Sequence, residues 1–318
     1  MSSITTTKGG CPNDNYPTSK RYTVISKLST RNHYKLKELP EWQREFNSGK
    51  VITGFLKETN SFKKCLWSTM YWHNSSINIS LNGIAATVYF MLLFFFTDCY
   101  LIPSFPSTTM SDYIVLNLYL LTATQNFMVG TIFYIMKSHS KQQAFLWYKL
   151  NNIGLINHIA SSVVTLLYYH YFDYVFYFKF FTIVTLLLIT LFTCSIISDS
   201  FNKMTRIRKN FLLLAYIILL TLMPSLFAIL RFGLAKVLER ISLNLIILEI
   251  FIYAFGLTIR TSQLPERFFN SFDFLGNSEN VYQLSIIVCS FIHFKILMNS
   301  YCLMHSGVNP PTLVTFQD

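Results

Sequence analysis

The chain has 318 residues, of which 52% are hydrophobic and 13% are charged. Soluble domains carry about 25% charged residues, so this composition excludes an ordinary soluble domain and predicts a polytopic membrane protein. The formal net charge of +11 arises from lysines and arginines concentrated on one side of the predicted membrane, and it does not indicate nucleic-acid binding.

The N-terminal 77 residues are polar and basic, without the apolar stretch of a cleavable signal peptide. We expect residues 1–35 to form a disordered basic cytosolic tail. Residues 36–77 begin with "LKELPEWQ", in which the proline predicts the first turn of a short helix. From Ser61 onward, apolar residues recur at helical spacing. This region predicts a cytosolic turn and an amphipathic juxtamembrane helix, which either lies on the membrane surface or packs on the cytosolic loops.

Seven apolar runs follow, each long enough to cross a bilayer, which takes about 20 residues. They predict an all-α integral membrane protein, a seven-transmembrane helix bundle over residues 78–304. The predicted spans are 78–97, 114–136, 151–170, 176–197, 211–230, 242–259 and 280–304.

The orientation follows from the basic residues. Of the 26 lysines and arginines, 21 lie in the first 77 residues or in and beside the loops after the second, fourth and sixth spans. Because positive charge marks the cytosolic side, we predict a cytosolic N-terminus and a short extracytosolic tail at 305–318. This orientation is opposite to that of a G-protein-coupled receptor. Both the endoplasmic reticulum and the plasma membrane are compatible with it.

Three stretches of the sequence resemble the motifs of one known family. They are "ELPEWQ" with "ITGFLKETNSFKKCLWSTMYWHNSSINIS", then "KSHSKQQAFLWYKLNNIGLI", and finally "LPERFFNSFDFLGNSENVYQ". In this order they resemble the progestin and adipoQ receptor family, which is related to hemolysin III and includes the adiponectin receptors. The fungal branch of Izh zinc-homeostasis proteins is the most similar. The resemblance implies a seven-helix bundle with its N-terminus in the cytosol.

The resemblance also implies where a zinc ion would be held, at the cytosolic ends of the second, third and seventh spans. Here Gly130 and Tyr134 stand at the serine and first histidine positions of the second span. Asn151 stands at the aspartate position of the third span. In the seventh span, Glu279 and Gln283 stand at the two histidine positions.

Two further positions complete the comparison with the family. Asn82 stands where a histidine near the first span would be, and only His139 survives from the family's set. Phenol, carboxylate and amide groups bind zinc less well than imidazoles, and an asparagine cannot act as a general base. We therefore expect no catalytic residues, no metal ligands and no cofactor, although zinc remains an alternative.

Glu279 leaves two interpretations open. It begins the last predicted helix, where the helix dipole stabilises an acidic side chain. Alternatively, it forms a weak oxygen-rich cation site together with Tyr134, Asn151 and Gln283.

Glu249 lies near the middle of the sixth span, where an ionisable group is costly unless it has a partner or faces a cavity. It is either protonated and hydrogen-bonded between helices, or it lines a lipid-binding or ion-conducting cavity. His158, in the third span, has the same two interpretations. His139 is expected to be an interfacial loop histidine.

The resemblance implies a receptor-like protein that acts in zinc homeostasis and in membrane lipid or sterol metabolism, without catalytic zinc. Its expected partners are the bilayer and a lipid, sterol or ceramide-like ligand held between the helices. Two other functions remain open. One is a zinc-dependent lipid amide hydrolase with a rebuilt site, and the other is an ion transporter or channel that uses Glu249. The sequence leaves the oligomeric state open.

Overall fold

The computed structural model describes residues 33–47, 51–105, 107–198, 204–268 and 273–305. Most of the predicted N-terminal tail and all of the C-terminal tail beyond His305 lie outside these ranges. After a 3-10 turn at Leu36–Glu38, the helices in the described ranges are α1 (Glu41–Phe46), α2 (Phe62–Ser68), α3 (Ser76–Ser104), α4 (Met110–Met136), α5 (Lys141–His170), α6 (Val175–Ile197), α7 (Arg206–Phe232), α8 (Leu234–Arg240), α9 (Leu243–Ser262) and α10 (Ser278–His305).

Seven of the described helices are long and apolar enough to cross a membrane, namely α3, α4, α5, α6, α7, α9 and α10. The predicted seven-helix bundle of a multi-pass membrane protein is therefore confirmed.

The helix boundaries differ from the predicted spans where polar residues extend a helix. The largest difference is in α5, which begins at Lys141 and not at residue 151. The segment "KQQAFLWYKL" is helical but too polar to be recognised from hydropathy alone. The short helix α8 was not predicted. At its far end α3 continues through a π-helical stretch, Leu92–Leu101, before its last turn.

Buried aromatic side chains form the centre of the bundle. Tyr89 on α3 and Tyr119 and Phe127 on α4 are completely buried. The Tyr89 ring stacks on Phe127 with ring centroids 5.6 Å apart. Helix α4 packs between α3 and α5, while α9 packs along α10. The outward faces of α6 and α7 expose many leucine, isoleucine and phenylalanine side chains, as expected for helices that contact lipid.

The N-terminal segment, residues 33–47 and 51–75, lies against one end of the bundle, which we call the proximal end. The Asp273 carboxylate accepts hydrogen bonds from the backbone N–H groups of Ile52 and Thr53, both at 3.0 Å, and from the Thr53 hydroxyl at 2.6 Å. Thr59 N–H donates to the Ser138 carbonyl at 3.0 Å. The N-terminal segment is thereby joined to the loop before α10 and to the turn after α4.

Helix α2 forms within the predicted amphipathic region. Its Cys65 is buried, whereas Leu66 and Trp67 on the same helix and Met70 just after it are exposed. The helix thus packs on the turn after α4, where Phe62 contacts His139, and exposes apolar side chains beside the first span, so its contact with a membrane surface stays a prediction.

Candidate functional site

The six positions identified from the family motifs lie together at the proximal end, on four helices. They are Asn82 on α3, Gly130 and Tyr134 on α4, Asn151 on α5, and Glu279 and Gln283 on α10. The Gln283 amide donates to Asn82 Oδ1 at 2.7 Å, and Asn82 Nδ2 donates to the Asn78 carbonyl at 2.8 Å. Helices α3 and α10 are thus joined by two amides.

Gly130 is the point at which three helices approach each other closely. A Cβ atom at this position would lie 2.6 Å from Oδ1 of Asn82 and 3.3 Å from Oδ1 of Asn151. Real Cβ atoms do not approach other atoms as closely as the first of these distances, so the site requires glycine in order to place both amides against α4.

Glu279 lies in the first turn of α10, and its carboxylate has a partner for each oxygen. The Tyr134 hydroxyl donates to Oε1 at 3.0 Å. Nε of Arg260, at the proximal end of α9, donates to Oε2 at 3.1 Å. The Arg260 guanidinium also lies over the Tyr282 ring, 4.4 Å from its centroid. Three helices therefore converge on one carboxylate.

Sequence reasoning missed Arg260 because it assigned this residue only to the basic cytosolic loops. A signal was present, since a cation at the end of an apolar span has to find a partner, and Glu279 begins the next span. Glu266 was also missed. Its carboxylate accepts from the Ser278 N–H at 2.8 Å and from the Ser278 hydroxyl, so it caps the start of α10.

The residues present do not fit a catalytic zinc ion, which is held by imidazole, thiolate or carboxylate lone pairs directed at one point. The Glu279 carboxylate already accepts from Tyr134 and Arg260, and the amides of Asn82 and Gln283 bond to each other. Among the residues that the structure describes, no three His, Cys, Asp or Glu side chains are grouped so as to hold a metal ion.

A cavity of about 420 Å³ lies beside the Arg260–Glu279 pair. Its polar wall includes Asn78, Asn151 and Arg260, and its aromatic residues are Phe46, Phe55, Phe133, Tyr134, Phe145, Tyr148 and Phe192. Asn78 is only 3% exposed, and its Oδ1 has no hydrogen-bond partner among the described residues. A buried carbonyl oxygen without a partner is costly, so this asparagine is a strained position in the wall of the cavity.

The mid-membrane polar residues form a separate cluster in the interior of the bundle. Glu249 Oε2 lies 3.0 Å from His293 Nδ1, and His293 Nε2 lies 3.0 Å from the Ser162 carbonyl. His158 Nε2 lies 3.0 Å from the Ser290 hydroxyl. A cavity of about 50 Å³ adjoins Glu249, His158 and His293. Glu249 therefore has an interhelical hydrogen-bond partner and also adjoins a small cavity, and its protonation and the use of this cavity stay predictions.

His139 lies outside both clusters. Its ring contacts Phe62 of the N-terminal segment with centroids 4.3 Å apart, and its Nδ1 lies 3.1 Å from the Ser140 hydroxyl. The residue is buried, and its backbone carbonyl accepts from Asn60 N–H at 2.9 Å. His139 thus fastens the N-terminal segment to the turn after α4.

His73 stands at the entry to α3 and is 2% exposed. Burial, and to a smaller extent the charges of His33 and Lys137, lower the pKa of its imidazole to about 4. The ring is therefore neutral at pH 7. Its Nδ1 accepts from the Ser75 N–H at 3.2 Å, which is one of the first N–H groups of the helix start.

At the opposite, distal end of the bundle, Asp112 caps α4. Its Oδ2 accepts from Thr109 N–H at 2.9 Å, and its Oδ1 accepts from the Tyr168 hydroxyl at 2.9 Å. His305, the last residue of α10, lies 3.4 Å from Asp112 Oδ2 through Nε2, and 2.8 Å from the Ser107 hydroxyl through Nδ1. These contacts join the ends of α4, α5 and α10.

The seven described helices that are long and apolar enough to cross a membrane, with a polar cavity at one end, define a multi-pass integral membrane protein. Residues 70–294 match the family model described as Haemolysin-III related. Since the match covers most of the chain, the chain belongs to this family.

Three curated relatives are similar over more than four fifths of their own length. The chain is 31% identical to the ADIPOR-like receptor IZH1 of Eremothecium gossypii, covering 91% of each protein. It is 37% identical to the ADIPOR-like receptor IZH4 of Saccharomyces cerevisiae over 78% of this chain and 82% of that protein. Identity to the ADIPOR-like receptor IZH2 of the same yeast is 30%, over 88% and 87%. These matches confirm the resemblance to the adiponectin-receptor-like family and its fungal branch.

Proposed function

We propose that this protein is a receptor-like membrane protein without catalytic metal, and that its proximal cavity binds a membrane lipid or sterol. Through this ligand it acts in zinc homeostasis and in membrane lipid or sterol metabolism. The family membership and the naming of the relatives as ADIPOR-like receptors support a receptor-like role.

The observation that carries the proposal is the cavity itself. Its volume of about 420 Å³ lies within the range of roughly 300–1,000 Å³ that is typical of small-molecule sites. Aromatic rings make up much of its wall, and the amide side chains of Asn78, Asn151 and Asn152 are among its polar residues. A ligand with an apolar body and a hydroxyl or amide N–H group, such as a sterol or a ceramide-like lipid, matches this wall.

The chemistry of the side chains favours binding over hydrolysis. The Tyr134 hydroxyl is engaged by Glu279, and the Asn151 amide has no basic lone pair with which to deprotonate a water molecule. The cavity lies where the N-terminal segment meets the bundle, since Phe46, Val51 and Phe55 line it together with residues of α4 and α10. A ligand there contacts both parts and biases the position of the N-terminal segment.

We propose further that the proximal end faces the cytosol, in the endoplasmic reticulum or the plasma membrane. The concentration of lysines and arginines at this end supports that orientation. Asn74 and Asn78 each begin an Asn-x-Ser glycosylation sequon, and in the cytosol both stay unmodified. Mass spectrometry of the expressed protein tests this, and sugar on either asparagine contradicts the orientation.

The binding proposal is tested by purifying the protein in mild detergent, extracting the bound lipid and identifying it by mass spectrometry. We expect one lipid class to be enriched over the bulk membrane and to be depleted in Asn78→Leu. The control is Asn299→Leu, because Asn299 is exposed and bonds to Ser242 away from the cavity. The absence of any enriched lipid, together with unchanged cellular lipid and zinc in a null mutant, would overturn the proposal.

A further inference from the structure

The geometry around Glu279 is that of a filled cation site. Both carboxylate oxygens accept hydrogen bonds, one from Tyr134 at 3.0 Å and the other from Arg260 at 3.1 Å. The side chains of Arg260 and Glu279 are 19% and 27% exposed, so both charges are partly withdrawn from solvent. A carboxylate in such a place needs a nearby positive charge.

Helix α10 holds the guanidinium from two directions. Glu279 and Tyr282 are three residues apart, so their side chains project from the same face of the helix. The carboxylate accepts from Nε of Arg260, while the Tyr282 ring lies beneath the guanidinium, 4.4 Å from its centroid. Ion pairing and a cation–π contact thus act on the same cation. A lysine ammonium is a point charge and does not reproduce this planar arrangement.

The position of Arg260 also determines which ions the neighbouring oxygen atoms are able to bind. An arginine stays charged at every pH that a protein experiences. A divalent ion that approached Glu279 would have to displace Arg260 from the carboxylate or accept its charge as a close neighbour. Either event costs Coulomb energy in a site that is partly withdrawn from water.

We propose that the guanidinium of Arg260 is the resident cation of the proximal site, and that it occupies the oxygen-rich site of Glu279 and Tyr134 in place of a metal ion. Removal of the Arg260 side chain then leaves a site for a small planar cation of the guanidinium class. The inference concerns the same site as the proposed function and rests on its proposed lack of a catalytic metal.

The test is chemical rescue of Arg260→Ala, with the melting temperature in detergent as the readout. We expect the substitution to lower the melting temperature by about 5 °C. Millimolar methylguanidinium should recover most of this loss, whereas sodium chloride at the same ionic strength should not. The matched control is Arg267→Ala, because Arg267 is an exposed arginine close to the same end of α9. It should melt like the wild type and should not respond to methylguanidinium.

A double-mutant cycle with Glu279→Gln checks the partner, since the two losses should be strongly non-additive if the residues act on each other. The inference is overturned if Arg260→Ala melts like Arg267→Ala, or if methylguanidinium fails to stabilise it. If Arg260→Ala fails to fold, the test is the metal content of purified Arg260→Lys and of the purified wild type. Both should contain no bound divalent ion, and one zinc per wild-type chain, lost in Glu279→Ala, would overturn the inference.

Lipid analysis of the same wild-type preparation keeps the two proposals separate. A preparation with enriched lipid whose Arg260→Ala variant shows no rescue refutes the resident cation and leaves lipid binding intact. Successful rescue of Arg260→Ala in a preparation without enriched lipid supports the resident cation and refutes lipid binding.

Discussion

His293 and Glu249 share a hydrogen bond in the interior of the bundle, with Nδ1 of the imidazole 3.0 Å from Oε2 of the carboxyl group. The other ring nitrogen of His293, Nε2, donates to the carbonyl of Ser162 at 3.0 Å, because a carbonyl oxygen only accepts. The bond between Nδ1 and Oε2 therefore contains one proton, which belongs either to a neutral carboxylic acid or to an imidazolium.

The first prediction separates the hydrogen bond from the charge. Glu249→Gln retains a donor for Nδ1, so we expect it to change the free energy of unfolding by less than about 1 kcal/mol. Glu249→Leu leaves Nδ1 without a partner and should cost about 1–3 kcal/mol. Unfolding in mixed detergent micelles measures both variants. Equal losses in the two would show that the hydrogen bond is not what stabilises this pair.

The same pair bears on the alternative of an ion transporter or channel. The cavity beside Glu249 has a volume of about 50 Å³, which accommodates a few water molecules at most. We expect no ion flux in proteoliposomes that contain the wild-type protein. A flux that disappears in Glu249→Gln would contradict this expectation and would favour transport.

The second prediction concerns two helical glycines that differ only in their surroundings. A Cβ at Gly130 would lie 2.6 Å from Asn82 Oδ1, whereas a Cβ at Gly83 would meet nothing nearer than Thr131 at 4.0 Å. Gly130→Ala should destabilise the protein by about 1–3 kcal/mol because Asn82 has to move. Gly83→Ala should be neutral or stabilise it by up to about 1 kcal/mol through helix propensity. Thermal melting of the two variants measures the difference, and the opposite order would refute the close approach at Gly130.

The third prediction concerns the attachment of the N-terminal segment to the loop before α10. Asp273→Asn replaces one accepting oxygen by an N–H₂ group that faces the backbone donors of Ile52 and Thr53. We expect about 1.5–3 kcal/mol less stability in this region, since bonds to a charged acceptor are lost. Limited trypsin digestion should then cleave near Lys57 sooner than in the wild type. Asp98→Asn, at an exposed position of α3, is the control and should be digested at the wild-type rate.

The fourth prediction is a pH dependence caused by His73. The pKa of its imidazole is lowered from 6.5 to about 4 in the folded protein, chiefly by burial. Below pH 6.5 the unfolded chain therefore binds a proton at this residue that the folded chain does not bind. Stability is lost as the pH falls from about 6.5 to about 4, by up to about 3 kcal/mol.

His73→Asn provides the comparison for this effect, since its amide oxygen can still accept from the Ser75 N–H group. The difference in unfolding midpoint between pH 7.5 and pH 4.5 should be smaller in this variant than in the wild type. An equal difference in the two proteins would show that His73 is not responsible for the acid sensitivity.

Much of the architecture was predictable because it depends on local sequence. A run of about 20 apolar residues is long enough to cross a bilayer wherever it occurs in the chain. The number of spans therefore follows from the number of such runs in the sequence. The family motifs added the positions of Gly130, Tyr134, Asn151, Glu279 and Gln283. The start of α5 at Lys141 was not predictable in this way, since its polar first turns form helix without contributing to the apolar run.

The sequence by itself therefore determined the class of protein, the seven spans and the positions at which the family's histidines are replaced. The tertiary structure decided which partners those replacements have. Arg260 meets Glu279, Gln283 meets Asn82, and Asp273 holds Ile52 and Thr53, although the last two contacts join residues more than 200 positions apart. Hydrogen bonds of this kind depend on the packing and rotation of whole helices. The pattern of residues within one segment does not specify how a helix packs against its neighbours or how it is rotated about its axis.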